Sequence, residues 1–218
     1  MKVALLGSTG YVGGEILKSC IEQGHQIKVL VRSPEKLGQY AKMVEVVEGD
    51  YCDPKKVTQT VAGTEIVLSA IGPMTKKPED VPQYTHSMTD AMKNLVAIIE
   101  KEKIKKVIWI SGAATPVNKR EKFNMKQNFI KFMLNATAKH ILAIKTMESS
   151  ILANSNLDWI IVRPPAILKG DPANHVVADD QKLHGMRIDR ADLVDFIMQQ
   201  ITSDKWLHKA PLVCSIKK

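Results

Sequence analysis

A strand followed by three regularly spaced glycines lies at the start of this chain. Residues 3–6 (VALL) form a continuous apolar run, as expected of a strand buried on both faces of a sheet. Gly7, Gly10 and Gly13 follow in the spacing GxxGxxG, and apolar residues then recur at helical intervals. Such glycines permit a tight turn, close approach of a phosphate to the backbone, and close packing of helix on strand. Because a helix N-terminus presents free N–H groups to anions, the stretch predicts a site for a dinucleotide pyrophosphate.

The end of the second predicted strand indicates which dinucleotide binds. The strand covers residues 26–31 and is followed by Arg32 and Ser33, with no acidic residue before Glu35. NAD sites carry an acidic residue here that accepts from the ribose 2′-hydroxyl, whereas an arginine accommodates a 2′-phosphate. Arg32 and Ser33 therefore predict NADP(H) as the cofactor. The alternative is a solvated arginine at a strand end.

Apolar runs alternate with helical patterns along most of the chain. Further strands are predicted at residues 44–47, 65–71, 106–110, 157–162 and 211–216. This alternation predicts an α/β fold of the doubly wound Rossmann type, with a parallel sheet covered on both faces and the ligand at its carboxyl edge. We expect a single NAD(P)-binding domain over residues 1–218. Its small C-terminal extension is an irregular region at about 164–187, with Gly170, Asp171 and Pro172, which we expect to line a substrate pocket.

The composition of the chain limits the kinds of binding partner that we expect. The chain has a net charge of +8, but its basic residues are scattered and accompany no nucleic-acid-reading module, which disfavours nucleic acid. Three widely separated cysteines predict neither a disulfide framework nor a metal site. No apolar stretch is long enough to span a membrane and no signal-type segment is present. We expect a cytoplasmic protein with a small-molecule partner, no metal and no membrane partner.

One segment in the second half of the chain has two interpretations. Residues 117–131 are polar and basic, with Phe123, Met125 and Phe129 interspersed. The segment is either a mobile cover over the active site or a surface helix, and we favour the surface helix.

Six ordered motifs support a family resemblance. They are GSTGYVGG (7–14), VRSP (31–34), GD (49–50), SAIG (69–72), ISGAA (110–114) and LDWIIVRPP (157–165). Together they resemble the atypical short-chain dehydrogenase/reductases, and more narrowly the small NAD(P)H-binding branch related to NmrA-like proteins and to biliverdin reductase B/flavin reductases. The resemblance covers nearly the whole chain and fixes no substrate. Members of this family occur as monomers and homodimers, and nothing in the sequence chooses between these states.

The resemblance assigns residues to the phosphates and the adenine. It implies pyrophosphate contacts at the glycine turn, from Gly7, Ser8, Thr9, Gly10, Tyr11 and Val12. By the same resemblance, Arg32 and Ser33 contact the 2′-phosphate and Asp50 lies near the adenine.

The resemblance also assigns residues to the rest of the cofactor. Ala70, Ile71 and Gly72 are implied to border the ribose side of the adenosine. Ser111 and Gly112 are implied to flank the nicotinamide.

The parent superfamily has a catalytic residue that this chain lacks. Its enzymes use a Tyr-x-x-x-Lys pair on the helix after the fifth strand, where the lysine lowers the tyrosine pKa so that the hydroxyl exchanges a proton with substrate. Counting back from Arg163 along the family pattern places the lysine at Lys145 and the tyrosine at Ile141, an apolar residue. The last tyrosine of the chain is Tyr84. The usual proton donor is therefore missing.

Three residues are candidates for catalysis in its place. His140 neighbours the empty position and titrates near neutrality, but adjacent helix residues diverge by about 100° and do not normally share a pocket. Ser111 can hydrogen-bond a carbonyl or the nicotinamide amide. Lys145 is either a ribose contact or an ordinary exposed lysine.

Two functions are compatible with these features. The first is an NADPH-dependent oxidoreductase that transfers hydride directly to a conjugated acceptor, a flavin, quinone or tetrapyrrole, which can take its proton from solvent. The second is a non-catalytic NADP(H)-binding redox sensor or scaffold protein. We favour the reductase.

Overall fold

A six-stranded parallel sheet forms the centre of the computed structural model, which describes residues 1–74, 76–118, 120–170 and 175–216. Its strands are β1 (Lys2–Leu6), β2 (Gln26–Val31), β3 (Glu45–Glu48), β4 (Ile66–Ser69), β5 (Lys106–Ile110) and β6 (Trp159–Val162). Their order across the sheet is β3-β2-β1-β4-β5-β6, and every neighbouring pair is parallel. This is the strand order of the doubly wound dinucleotide-binding fold. The predicted α/β fold is therefore confirmed.

Helices cover both faces of the sheet. They are α1 (Gly13–Glu22), α2 (Pro54–Val61), α3 (Val81–Glu102), α4 (Met125–Thr137), α5 (Lys139–Ala153) and α6 (Arg190–Gln199), with a 3₁₀ segment at Pro34–Lys42. Because successive strand residues point to opposite faces, β1 contributes to two cores. Val3 and Leu5 pack with α1 and α6, whereas Ala4 and Leu6 pack with α2, α3 and α5. This burial on both faces explains the continuous apolar run in the sequence.

The C-terminal part contains more regular structure than expected. Four short strands, β7 (Ala166–Leu168), β8 (Val176–Asp179), β9 (Arg187–Asp189) and β10 (Leu212–Ser215), lie outside the main sheet. β7 pairs with β9 in parallel and β8 pairs with β10 antiparallel. Asp171 and Pro172, expected in the irregular region, lie outside the described residues.

The segment that we expected to be a cover or a surface helix is helical only in its second half. α4 begins at Met125 because Asn124 and Gln127 form a capping box, in which each side chain accepts from the other's backbone N–H. Before it, the Glu121 carboxylate accepts from the backbone N–H of Val117 at 2.9 Å and from the buried Arg163 side chain. The helix then continues to Thr137, past the end of the predicted segment.

Two further features are absent from the described part of the chain. In those residues, no helix combines the length and the apolar character needed to cross a bilayer. The same residues contain no group of three or more His, Cys, Asp and Glu side chains arranged to hold a metal ion.

Candidate functional site

A cleft of about 290 Å³ lies at the carboxyl ends of β1, β2 and β4, where the strand order reverses. It is lined by eight of the predicted cofactor residues: Gly7, Thr9, Gly10, Arg32, Asp50, Ala70, Ile71 and Gly72. The remaining lining residues are Leu30, Val31, Gly49, Tyr51, Cys52, Met74, Tyr84 and Met88. The cleft thus has the place in the sheet at which α/β proteins bind nucleotides.

The glycine turn forms the floor of one end of the cleft. Gly7 has φ +85°, a left-handed conformation, and a Cβ atom there would lie 2.8 Å from the carbonyl carbon of Ala70. A Cβ atom on Gly13 would lie 2.0 Å from the carbonyl oxygen of Gly7. No side chain caps the N-terminus of α1 at Val12, and the positive end of the helix dipole faces this end of the cleft. The N–H groups of Gly14, Glu15 and Ile16 donate to backbone carbonyl groups of the turn. The turn therefore fits the phosphates of a dinucleotide.

The side chains of the turn have different surroundings. Ser8 is buried, and its hydroxyl has no hydrogen-bond partner among the described residues. Tyr11 is exposed, and its ring packs against the guanidinium of Arg190, 4.4 Å from the ring centroid. Arg190 also donates to the Tyr11 carbonyl at 3.2 Å and pairs with Glu15 at 2.7 Å. Arg190, on α6, thus fastens the end of the glycine turn.

Arg32 and Asp50 face each other across the mouth of the cleft. Arg32 Nε lies 3.9 Å from Asp50 Oδ2, and the two side chains are 77% and 49% exposed. At this distance the pair is a loose surface contact, so the guanidinium can still meet an anion. Ser33 follows Arg32 in the chain but is not among the residues that line the cleft.

Lys145 is buried rather than exposed. Its Nζ donates to the carbonyl oxygen of Ile71 at 2.6 Å and to that of Ile110 at 3.3 Å. It also pairs at 2.9 Å with Glu148, which is fully buried and whose second carboxylate oxygen has no partner among the described residues. The Trp109 ring lies 5.3 Å from the same ammonium. Lys145 therefore links α5 to the ends of β4 and β5.

Ser111 and His140 lie on separate elements near this lysine. Ser111 Oγ is 2.8 Å from the hydroxyl oxygen of Ser149, which is buried on α5. His140 Nε2 lies 3.0 Å from the carbonyl oxygen of Met74, in the loop after β4. When this nitrogen carries a proton, it donates to that carbonyl oxygen. Ile141 occupies the family's tyrosine position and is half-buried. The hydroxyl groups at this end of the site include those of Ser111 and Ser149.

Two groups in the cleft have raised pKa values. Burial raises the pKa of Tyr51 well above its ordinary value, and the nearby Glu148 carboxylate raises it further. Burial, together with the Asp50 carboxylate, raises the pKa of the Cys52 thiol to about 11. Both groups are therefore protonated near neutral pH, and neither supplies a nucleophile there.

Sequence reasoning missed several residues of the site. Ser149 follows Lys145 by one helical turn, and that spacing was a usable signal. Tyr84 precedes Met88 by the same interval on α3, and both line the cleft, although Met88 also belongs to a hydrophobic core. No sequence pattern indicated that Arg190 belongs to the site, because its contact with Tyr11 joins residues 179 apart in the chain.

The sheet order and the glycine turn define a dinucleotide-binding α/β protein. A family profile described as NAD(P)H-binding matches residues 7–204, and the chain belongs to this family. The resemblance seen in the motifs is thereby confirmed. Photosystem II assembly factor Ycf39 from Synechocystis is 24% identical over 175 residues, which are 78% of this chain and 46% of that protein. The chain thus spans about half the length of this relative.

Two solved structures share the fold over nearly their whole length. The anaerobillin reductase ChuY from Escherichia coli O157:H7 has a TM-score of 0.81 at 19% identity, with 100% of both chains covered. A short-chain dehydrogenase/reductase from Veillonella parvula in complex with NADP has a TM-score of 0.78 at 16% identity. That match covers 98% of this chain and 94% of the other. At these identities the likeness concerns the fold.

Proposed function

We propose that this protein is an NADPH-dependent reductase that transfers hydride directly to a conjugated small-molecule acceptor such as a flavin, a quinone or a tetrapyrrole. The observation that carries the proposal is a dinucleotide cleft with Arg32 exposed at its mouth and the apolar Ile141 at the family's tyrosine position. A conjugated acceptor spreads the charge it gains and can take its proton from solvent, so it does not need the missing tyrosine. A simple ketone does need a general acid.

The cofactor is proposed to be NADP(H), bound in the cleft beside the glycine turn and extending beyond the cleft towards the end of β5. When bound, it supplies a hydride from its nicotinamide ring. The pyrophosphate is assigned to the turn, at Gly7, Ser8, Thr9, Gly10, Tyr11, Val12 and Gly13. The 2′-phosphate is assigned to Arg32 and Ser33, of which Arg32 has the stronger support because its guanidinium is exposed at the cleft. Asp50 is assigned to the adenine end.

The rest of the cofactor is assigned to loops after β4 and β5. Ala70, Ile71 and Gly72 are proposed to border the ribose side of the adenosine, and Gly112 to flank the nicotinamide. Ser111 is assigned a hydrogen bond to the nicotinamide amide or to an acceptor carbonyl, with its hydroxyl oriented by Ser149.

Lys145 and His140 complete the proposed site. Lys145 is assigned to fixing the nicotinamide end through its bonds to the carbonyl groups of Ile71 and Ile110. We assign His140 the role of proton donor only for an acceptor that needs a general acid, because its ring already lies against the Met74 carbonyl.

One observation favours a second function, a non-catalytic NADP(H) sensor or scaffold protein. The lack of a proton donor at Ile141 suits a protein that binds the dinucleotide without turning it over. Ycf39, moreover, is named as an assembly factor and not as an enzyme. The name of ChuY, a reductase, supports the first function instead. We rank the reductase first, as a cytoplasmic monomer or homodimer.

The test is NADPH consumption by the purified protein, followed by absorbance, against flavins, quinones, tetrapyrroles, aldehydes and ketones. NADPH binding is measured in parallel by fluorescence. Turnover of a conjugated acceptor supports the proposal. Turnover of ketones alone overturns the proposed acceptor class and directs attention to His140 and Ser111. Tight binding without consumption of NADPH by any acceptor supports the sensor.

A further inference from the structure

One face of α4 carries an apolar stripe that is exposed to solvent. Met125, Phe129, Phe132 and Met133 are 88%, 57%, 69% and 44% exposed. Phe129, Phe132 and Met133 follow Met125 by four, seven and eight residues, and this spacing places the four side chains on the same side of the helix. A soluble helix normally turns its apolar stripe towards the core, and contiguous exposed apolar surface marks an interaction site.

The opposite face of α4 is fastened to the protein, so the exposed stripe does not come from a detached helix. Gln127 is fully buried and donates to the carbonyl oxygen of Ala113 at 3.2 Å. Asn124 donates to the carbonyl oxygen of Leu183 at 3.0 Å. Ile130 and Leu134, on the same side as Gln127, are half-buried. The helix therefore has two apolar faces, of which one has no covering element in the described chain.

The charge along the chain segment that contains the stripe has one sign. Residues 122–147 contain five lysines and no aspartate or glutamate. Four of these lysines, Lys122, Lys126, Lys131 and Lys139, are exposed. They lie before the helix, within it and just after it. Within the helix, Lys126 donates to the carbonyl oxygen of His184, and Lys131 Nζ lies 5.4 Å from the centre of the Phe123 ring. The nearby Asp179 carboxylate is paired with His184 at 2.7 Å.

We propose that α4 docks this protein on the surface of a membrane rich in anionic lipid. A helix with Phe and Met on one face and lysines around it lies in the plane of the bilayer interface, with the apolar side chains among the acyl chains and the ammonium groups at the lipid phosphates. A positively charged rim complements an anionic surface and repels a second copy of the same rim. The expectation of no membrane partner rested on the lack of a spanning segment, which does not bear on a helix lying in the interface.

This surface is separate from the dinucleotide cleft, whose lining contains none of the four stripe residues. The proposal therefore goes beyond the reductase and does not depend on turnover. It can be tested with protein that has not been given an acceptor.

The experiment is co-sedimentation of the full chain with vesicles of phosphatidylcholine alone or of phosphatidylcholine and phosphatidylserine at three to one. We expect binding to the anionic vesicles at least about tenfold tighter than to the neutral ones, and weakened by salt. Phe129→Ser/Phe132→Ser is expected to weaken the anionic binding by about tenfold or more, since it removes the two exposed rings from the bilayer. Thermal unfolding and NADPH binding of this variant should match the wild type, because both side chains are exposed.

A pair of charge variants gives the matched control. Lys122→Glu/Lys139→Glu reverses two charges beside the stripe, whereas Lys55→Glu/Lys101→Glu makes the same change at exposed positions on α2 and α3. We expect the first pair to weaken vesicle binding strongly and the second pair to weaken it much less. Absence of binding to anionic vesicles overturns the proposal, as do equal effects of the two pairs. A wild-type dimer in sedimentation velocity that Phe129→Ser/Phe132→Ser dissociates also overturns it, since the stripe then binds a second copy.

Discussion

Lys145 Nζ lies 2.9 Å from Glu148 Oε2, one helical turn apart on α5, and the two side chains are 10% and 0% exposed. Removing one partner of a buried pair leaves an uncompensated charge, which costs about 3–5 kcal/mol. We expect Glu148→Gln to lower the free energy of unfolding, measured with urea, by approximately this amount. Glu22→Gln breaks the exposed Lys18–Glu22 pair on α1 and should cost at most about 1 kcal/mol.

The double variant Lys145→Met/Glu148→Leu provides the control for this prediction. It removes both charges at once, so it should be clearly more stable than the summed losses of the single variants Lys145→Met and Glu148→Leu indicate. Strictly additive losses would show that the two side chains do not interact in solution.

Two adjacent glycines at the start of α1 provide a test of the turn. A Cβ atom on Gly13 would lie 2.0 Å from the carbonyl oxygen of Gly7, whereas one on Gly14 would lie 3.7 Å from that of Ser8. We therefore expect Gly13→Ala to abolish NADPH binding or to destabilise the protein severely. Gly14→Ala should retain both properties, because alanine suits a helix and meets only ordinary contacts. Isothermal titration and thermal unfolding of the two variants check this, and equal behaviour would contradict the close approach of helix to turn.

Arg32 provides the test of cofactor choice. If it contacts the 2′-phosphate, Arg32→Ala loses a charge-assisted interaction of about 1.5–3 kcal/mol for NADPH and almost nothing for NADH. The dissociation constant for NADPH should rise roughly ten- to a hundredfold. Lys101→Ala, at an exposed position on α3, controls for the loss of one positive charge. Equal weakening of NADPH and NADH by Arg32→Ala would remove the argument for the 2′-phosphate.

Cys52 reports on the cleft through its reactivity. Because its pKa is raised to about 11 and only the thiolate reacts, alkylation by iodoacetamide should accelerate about tenfold per pH unit with no plateau below that value. Cys20 and Cys214 are buried and should not react in the folded protein. Bound NADP should slow the reaction, since Cys52 lines the cleft. Peptide mass spectrometry locates the label, and a plateau near pH 9 or absence of protection would contradict the assignment.

The structural features that could be predicted from the sequence are those that local residue patterns determine. The glycine spacing and the alternation of strands with helices predicted the fold, because each depends on neighbouring residues. The position of Lys145 also followed from motif spacing, but its burial did not. Its partner Ile71 is 74 residues away in the chain, and only the sheet brings the two together.

Two further differences between the predicted and the observed secondary structure have local causes. The start of α4 was readable, since Asn124 and Gln127 form a capping box with a known sequence signature, yet the polar stretch before them obscured it. The short strands at Ala166–Leu168 and Arg187–Asp189 contain three residues each, too few to show an alternating pattern.

The central claim is direct hydride transfer from NADPH at a site without a tyrosine acid. The measurement that tests it most directly is single-turnover oxidation of bound NADPH by the best conjugated acceptor, with deuterium placed on either face of the nicotinamide C4. We predict that deuterium on one face slows the oxidation and that deuterium on the other face leaves it unchanged. NADPH that binds tightly in the cleft but is oxidised by no acceptor would contradict the claim and would identify the protein as a sensor.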